Sequence, residues 1–267
     1  EQARDACADD GVVGMPEVDP STNLYYNSAV LIGPGGVVGV HRKSHSYISE
    51  PKWAAPGDLG HAVFETPLGR IALLVCMDIH FIETARLQAL GGADVICHIS
   101  NWLAERTPAP YWITRAAENG CYLVESNRWG LERTVQFSGG SCVIAPDGEI
   151  LAVVDDGDGI CYAQIDPARS RAREFLGEPV IAQRRPEHYP ALMTNTFLWN
   201  PSDFFRLYGH RPLPPGRRSV VSVAQFAPQP EAGDNLAAIA HWADEARRSD
   251  GAELVVFPER ALTGLHD

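Results

Sequence analysis

Short apolar runs, closed by proline- and glycine-rich turns and alternating with helical stretches, narrow this chain to few architectures. Residues 27–32 and 37–40 flank Pro34-Gly35-Gly36, and residues 62–66 and 71–75 flank Pro67-Leu68-Gly69. Both pairs carry the signature of a β-hairpin. Residues 81–90 read instead as a helix ending at Gly91-Gly92, with Phe81, Ala85, Leu87 and Leu90 expected on its inner side. A short buried strand follows at 94–99, then a helix at 111–119 closed by Gly120. Strands are expected at 122–126, 141–145, 150–154 and 160–165, and residues 2–9 read as the end of a helix. Mixed hairpins and βα units imply an α/β sandwich.

Beyond residue 167 the pattern loosens into Tyr189-Pro190, Trp199-Asn200-Pro201 and Pro212-Leu213-Pro214-Pro215-Gly216, which reads as an extended arm and linker. It then restarts with a strand at 219–226, a helix at 235–248 and a strand at 253–257. The expected division is therefore 1–166 for the main body, 167–218 for the arm and linker, and 219–267 for the restarted segment.

The 267 residues are ample for a large core, and the net charge of −12 comes without any basic block. Nucleic acid and anionic membrane are thereby disfavoured as partners. The six cysteines are scattered singly, and His45, His80 and His98 stand apart, so neither a metal site nor a disulfide framework is read. Cys97, Cys121, Cys142 and Cys161 are expected in the core. No stretch is long enough to span a membrane, no secretory signal is read, and a reducing cytoplasm fits.

Cys76 differs from the other thiols. It ends the run Ile71-Ala72-Leu73-Leu74-Val75, just before Met77-Asp78. A strand leaving a core there would set its thiol at the C-terminal edge of a sheet, where α/β proteins hold reactive groups. Two other strands end comparably: Val40-His41-Arg42-Lys43 on a lysine, and Phe257-Pro258-Glu259 on a carboxylate. Alone, each has a bland reading: a packed thiol, a solvated lysine, a helix cap.

Together these three segments resemble the Glu–Lys–Cys triad of the nitrilase superfamily, the carbon–nitrogen hydrolases. Further landmarks are Asn27-Ser28-Ala29, Pro56-Gly57-Asp58, Thr66-Pro67-Leu68-Gly69-Arg70, Gly92-Ala93-Asp94, Arg115-Ala116-Ala117-Glu118-Asn119 and Pro146-Asp147-Gly148. The likeness covers about 1–166 and 219–267. It implies a four-layer αββα sandwich, with two mixed β-sheets flanked by helices. It also implies Cys76 as nucleophile, Glu259 as general base, Lys43 as oxyanion stabiliser with the Met77 N–H, and Glu50 as a second carboxylate positioning Lys43 and substrate. Met77, His80, Asn101 and Trp102 are the expected substrate contacts, with Tyr111, Trp129 and Phe137 as further pocket candidates. Asp78 is expected to grip backbone N–H groups.

Met77-Asp78 after the cysteine favours amides or carbamoyl compounds over nitriles. No cofactor is implied, and members of such families commonly assemble as homo-oligomers. One feature departs from the family pattern: the family places Glu first, whereas here the order is Lys43, Cys76, Glu259. A circular permutation and a piece of a tandem protein both account for that order. A non-catalytic binding relative is the reading from another class, and an intact triad argues against it.

Overall fold

The computed structural model describes residues 10–103, 108–175, 177–179, 181–193 and 216–264. The expected helix at 2–9, and the linker over 194–215, lie outside the described residues. The chain divides into two units, Glu1–Tyr189 and Pro190–Asp267.

The first unit opens with β1 (Gly11–Val18), β2 (Tyr25–Gly33) and β3 (Gly36–Arg42), an antiparallel sheet in that order. The turn between β2 and β3 uses Gly36 at φ 115°, a conformation open to glycine and strained for other residues. Next come β4 (Val63–Thr66), β5 (Gly69–Val75), α1 (Ile82–Leu90), β6 (Val95–Ser100), α2 (Pro110–Asn119) and β7 (Tyr122–Asn127). A small hairpin, β8 (Trp129–Glu132) with β9 (Val135–Ser138), precedes β10 (Ser141–Ile144) and β11 (Ile150–Val154). The second sheet has the order β11-β10-β7-β6-β5-β4, parallel through β5, β6 and β7 and antiparallel towards both edges.

Strand β5 shows how the layers are assembled. Successive side chains point to opposite faces. Ile71, Leu73 and Val75 meet Ala29 and Leu31 of β2 between the two sheets. Ala72 and Leu74 join Ile96, Leu123 and Ile144 beneath Ala85 and Ala89 of α1 and Trp112 and Ala116 of α2. With both faces covered, β5 reads as a continuous apolar run rather than an alternating one. Each large side chain buried there contributes about 1.5–3 kcal/mol.

Helix α1 forms where expected but turns a different face inward. Thr84, Ala85, Gln88 and Ala89 are buried, while Phe81, Leu87 and Leu90 are 40%, 50% and 43% exposed. Small residues let the helix lie close to the sheet. Gln88 donates its Nε2–H to the Leu73 carbonyl at 2.6 Å, tying the helix to the strand beneath it. Helix α2 ends as expected at Gly120, in the left-handed conformation.

Residues 160–165 run without a strand ladder, contrary to the strand expected there. The start of the arm is pinned rather than loose. Helix α3 (Pro167–Arg171) is capped by Asp166, and Arg171 makes a two-point ion pair with Asp94 at 2.9 and 2.7 Å. A two-residue pair, β12 (Glu174–Phe175) and β13 (Glu178–Pro179), follows.

The second unit contains β14 (Val221–Val223), the long helix α4 (Ala232–Asp250) and β15 (Leu254–Val256). Its two strands pair in parallel, so the segment is one βαβ element. Buried Asn235 bridges the loop before α4 to the turn after β15, through Gln229 and the Leu262 carbonyl.

Candidate active site

Cys76 follows the last residue of β5 and opens a 3-10 turn, Cys76–His80. Its φ of 48° is left-handed, which costs a side-chain-bearing residue about 1–3 kcal/mol and persists where surrounding contacts enforce it. Burial pushes the thiol above the ordinary range. The Lys43 ammonium and the backbone N–H groups of Asn101 and Met77 act the other way, favouring the thiolate.

Lys43 lies just past β3 and is 3% exposed. Its Nζ donates to Glu50 Oε2 at 2.6 Å, and the Tyr47 N–H donates to the same oxygen at 2.6 Å. Asn27 Nδ2 holds the other carboxylate oxygen at 2.8 Å. Glu50 is thus oriented from three directions and pairs with the ammonium. The Lys43 main chain is also tied on both sides, its N–H to the Asn27 carbonyl and its carbonyl to the Gly57 N–H, each at 2.8 Å. A Cβ on Gly57 would come within 1.9 Å of the Arg42 carbonyl oxygen, backbone against backbone. That close approach is why Pro56-Gly57 carries no side chain at its second position.

Asp78 links the two strand ends. Oδ1 accepts from the N–H groups of Ser44 and His45, and Oδ2 from the N–H of Val75, at 3.1, 3.0 and 3.2 Å. His41 Nε2 adds a contact of 2.8 Å, and Ser44 Oγ one of 2.9 Å. Burial opposes the charge, yet hydrogen bonds from His41 and His45 and the neighbouring donors outweigh it. The carboxyl is held far below the usual range. Asp78 therefore grips backbone as expected, fastening the loop after Lys43 to the strand before Cys76.

Cys76, Lys43 and Glu50 line one cavity of about 650 Å³, together with Tyr47, Asn101 and Asn127. A second cavity of about 400 Å³ shares Cys76 and is walled by Met77, His80, Asn101, Trp102 and Leu103. All four expected substrate contacts thus lie in one wall. His80 stacks on Tyr111 at 4.9 Å and meets Trp102 edge-on at 5.1 Å. Trp129 and Phe137 line neither cavity. Glu259 stands in the turn after β15, in the second unit. Among the described residues no cluster of His, Cys, Asp or Glu is arranged to hold a metal ion, and no helix is long and apolar enough to cross a membrane.

Two features went unread in the sequence. Asn27 stood there as a landmark without a role, and its role is to hold Glu50. In the sequence His98 stands apart from the other histidines. It lies instead against Glu125, with Ser100 Oγ on the other carboxylate oxygen of Glu125, directly behind Cys76. His98 and Glu125 are opposite one another in adjacent strands, a relation visible only once the register is known.

A thiol at a left-handed strand end thus shares a cavity with a lysine paired to a carboxylate, the set of groups that thiol-based hydrolysis requires. A family model for carbon–nitrogen hydrolases matches residues 11–174. The chain belongs to that family, within the nitrilase superfamily and its amidase/carbamoylase-like branch, and its fold is the αββα sandwich of that superfamily.

A nitrilase from Pyrococcus abyssi is 35% identical over 181 residues, 67% of this chain and 68% of the relative. An N-carbamoylputrescine amidase from Solanum lycopersicum is 30% identical over 206 residues, 68% of each. Among solved structures, an amidase from Nesterenkonia sp. AN1, seen with acrylamide added at its active-site cysteine, is 27% identical. It aligns with a TM-score of 0.60 over 69% of both chains. The family match ends before Glu259, which lies in the restarted segment.

Proposed function

We propose that this carbon–nitrogen hydrolase is an amidase acting on a small amide or N-carbamoyl compound through a thioester on Cys76. The observation that carries the reading is the shared cavity of Cys76, Lys43 and Glu50, in which the Lys43 ammonium and the N–H groups of Asn101 and Met77 favour the thiolate. In this scheme Glu259 takes the thiol proton as sulfur attacks the carbonyl carbon. Lys43 and the Met77 N–H stabilise the oxyanion. The protonated Glu259 returns its proton to the departing nitrogen, leaving ammonia or an amine and a thioester. Glu259 then activates water, which releases the acid and regenerates the thiol. Glu50 orients Lys43 throughout, while His80, Asn101 and Trp102 contact the substrate beside the thiol.

Amidase and N-carbamoylputrescine amidase relatives support the amide reading, as does Asp78 following Met77. Nitrile hydrolysis is the second reading, favoured by the 35% identity to a nitrilase. Ammonia release from short amides, N-carbamoyl amines and amino acids, and nitriles, with Cys76→Ala alongside, tests both. Turnover of amides that disappears in Cys76→Ala supports the proposal; turnover confined to nitriles replaces it with the second reading. Turnover that survives in Cys76→Ala refutes the thiol mechanism. Mixing Cys76→Ala chains with Glu259→Gln chains reports on the carboxylate. Restored activity means that Glu259 serves a neighbouring chain, and none means that each chain completes its own site.

A further inference from the structure

Directly behind the nucleophile, the large sheet buries a second pair of ionisable side chains that the scheme above does not use. His98 of β6 and Glu125 of β7 are register partners, 0% and 2% exposed. His98 Nδ1 faces Glu125 Oε2, and the rings of Trp102 and Trp112 lie 6.3 and 5.9 Å from the imidazole. The remaining polar groups in this row are Ser100 and Asn127. Ser100 Oγ meets Glu125 Oε1 and lies 3.1 Å from Asn127 Oδ1. A buried pair of this kind is a poor source of stability, because desolvation offsets its attraction and an apolar pair of equal volume often does as well. Its position is more informative.

His98 Nε2 lies 3.0 Å from the Cys76 carbonyl oxygen. A carbonyl only accepts, so Nε2 carries the hydrogen. The peptide joining Cys76 to Met77 is planar, and in a trans peptide the C=O and N–H point in opposite directions. Drawing the Cys76 carbonyl towards His98 therefore aims the Met77 N–H the other way. That N–H is one of the groups that favour the thiolate of Cys76. The residue whose carbonyl takes this contact is the one with the left-handed φ of 48°.

We propose that His98, steadied by Glu125, is a positioning residue for the nucleophile: it orients the Cys76–Met77 peptide so that the Met77 N–H faces the reacting sulfur and oxyanion. The proposal rests on the reading of Cys76 as nucleophile.

His98→Gln and His98→Asn in the full chain provide the test. A glutamine amide reaches the place of Nε2 and can donate to the Cys76 carbonyl. An asparagine amide reaches only the place of Nδ1, next to Glu125. With the best amide of the panel, His98→Asn should lower kcat about 10- to 100-fold with little change in KM, the scale expected when reacting groups are misplaced by about 1 Å. His98→Gln should stay within about threefold of the parent, a difference of under 1 kcal/mol at the transition state. The second readout is the pH profile of Cys76 alkylation by iodoacetamide, followed on the Cys76 peptide by mass spectrometry. Its midpoint should move up in His98→Asn and hold in His98→Gln.

Equal kinetics and coincident alkylation profiles in the two variants would overturn the proposal. If no compound in the panel is turned over by the parent chain, the amidase reading fails while the alkylation profiles still decide the role of His98. Should His98→Asn fail to fold by thermal melting, the double variant His98→Phe with Glu125→Leu carries the same expectation without a buried charge.

Discussion

Removing the Asp78 carboxylate should loosen the whole site, and the size of the effect follows from its contacts. The side chain is fully buried and accepts three backbone N–H groups, from Val75, Ser44 and His45, besides His41 Nε2. In Asp78→Ala those donors lose their partner. A buried unsatisfied donor costs about 1–3 kcal/mol. With some donors regaining water in the space left behind, the loss should be about 3–5 kcal/mol. That is a large part of the 5–15 kcal/mol by which domains are ordinarily stable.

Urea unfolding followed by tryptophan fluorescence measures the loss. Asp78→Asn should lose less, since one oxygen still accepts from Ser44 and His45. A destabilisation below about 1 kcal/mol in Asp78→Ala would refute the view that this carboxylate holds the two strand ends together. The pH dependence has a definite sign. The folded-state pKa of Asp78 is depressed, so its contribution is fully present above the unfolded value, about 3.9, and is lost only as pH falls below it towards the folded value. The parent should therefore lose this stability only in acid, and Asp78→Ala should lack that part of the acid transition.

Other consequences can be checked independently. Lys43→Met should lower kcat about 100- to 1,000-fold with a smaller change in KM, as for loss of an oxyanion donor, and unchanged kcat would remove Lys43 from the mechanism. Because burial raises the Cys76 thiol and Lys43 opposes the rise, alkylation of Cys76 in the parent should have its midpoint above the ordinary thiol range, and Lys43→Met should shift it higher still; a downward shift would contradict the assignment. Gly57→Ala should reduce both thermal stability and activity, since its methyl would meet the Arg42 backbone, and a variant indistinguishable from the parent would show that the loop yields freely. Leu73→Ala, between the sheets, should cost about 2–5 kcal/mol, read from the urea midpoint.

Much of this protein is legible in its residues alone. The hairpins around Pro34-Gly35-Gly36 and Pro67-Leu68-Gly69 form where the turn residues place them, because proline and glycine restrict the backbone locally. The run from Ile71 to Val75 ends on a thiol at a sheet edge for an equally local reason: apolar continuity marks a strand covered on both faces, and polarity marks its end. Cys76 and Lys43 stand out as the ends of apolar strands, Glu50 is implied only by the family resemblance, and all three line one cavity.

Other features required the tertiary structure, because they depend on which strand lies beside which. The inward face of α1 is set by how closely the helix approaches the sheet, so Thr84 and Gln88 are buried where Leu87 and Leu90 were expected. Residues 160–165 have strand-like composition but no ladder, since composition does not supply a neighbouring edge. Asn27 reaches Glu50 across 23 positions, and His98 meets Glu125 across 27, through the parallel register of β6 and β7. Local chemistry marks a thiol as capable of reacting; long-range pairing decides what holds its carbonyl, its neighbouring N–H and its lysine in place.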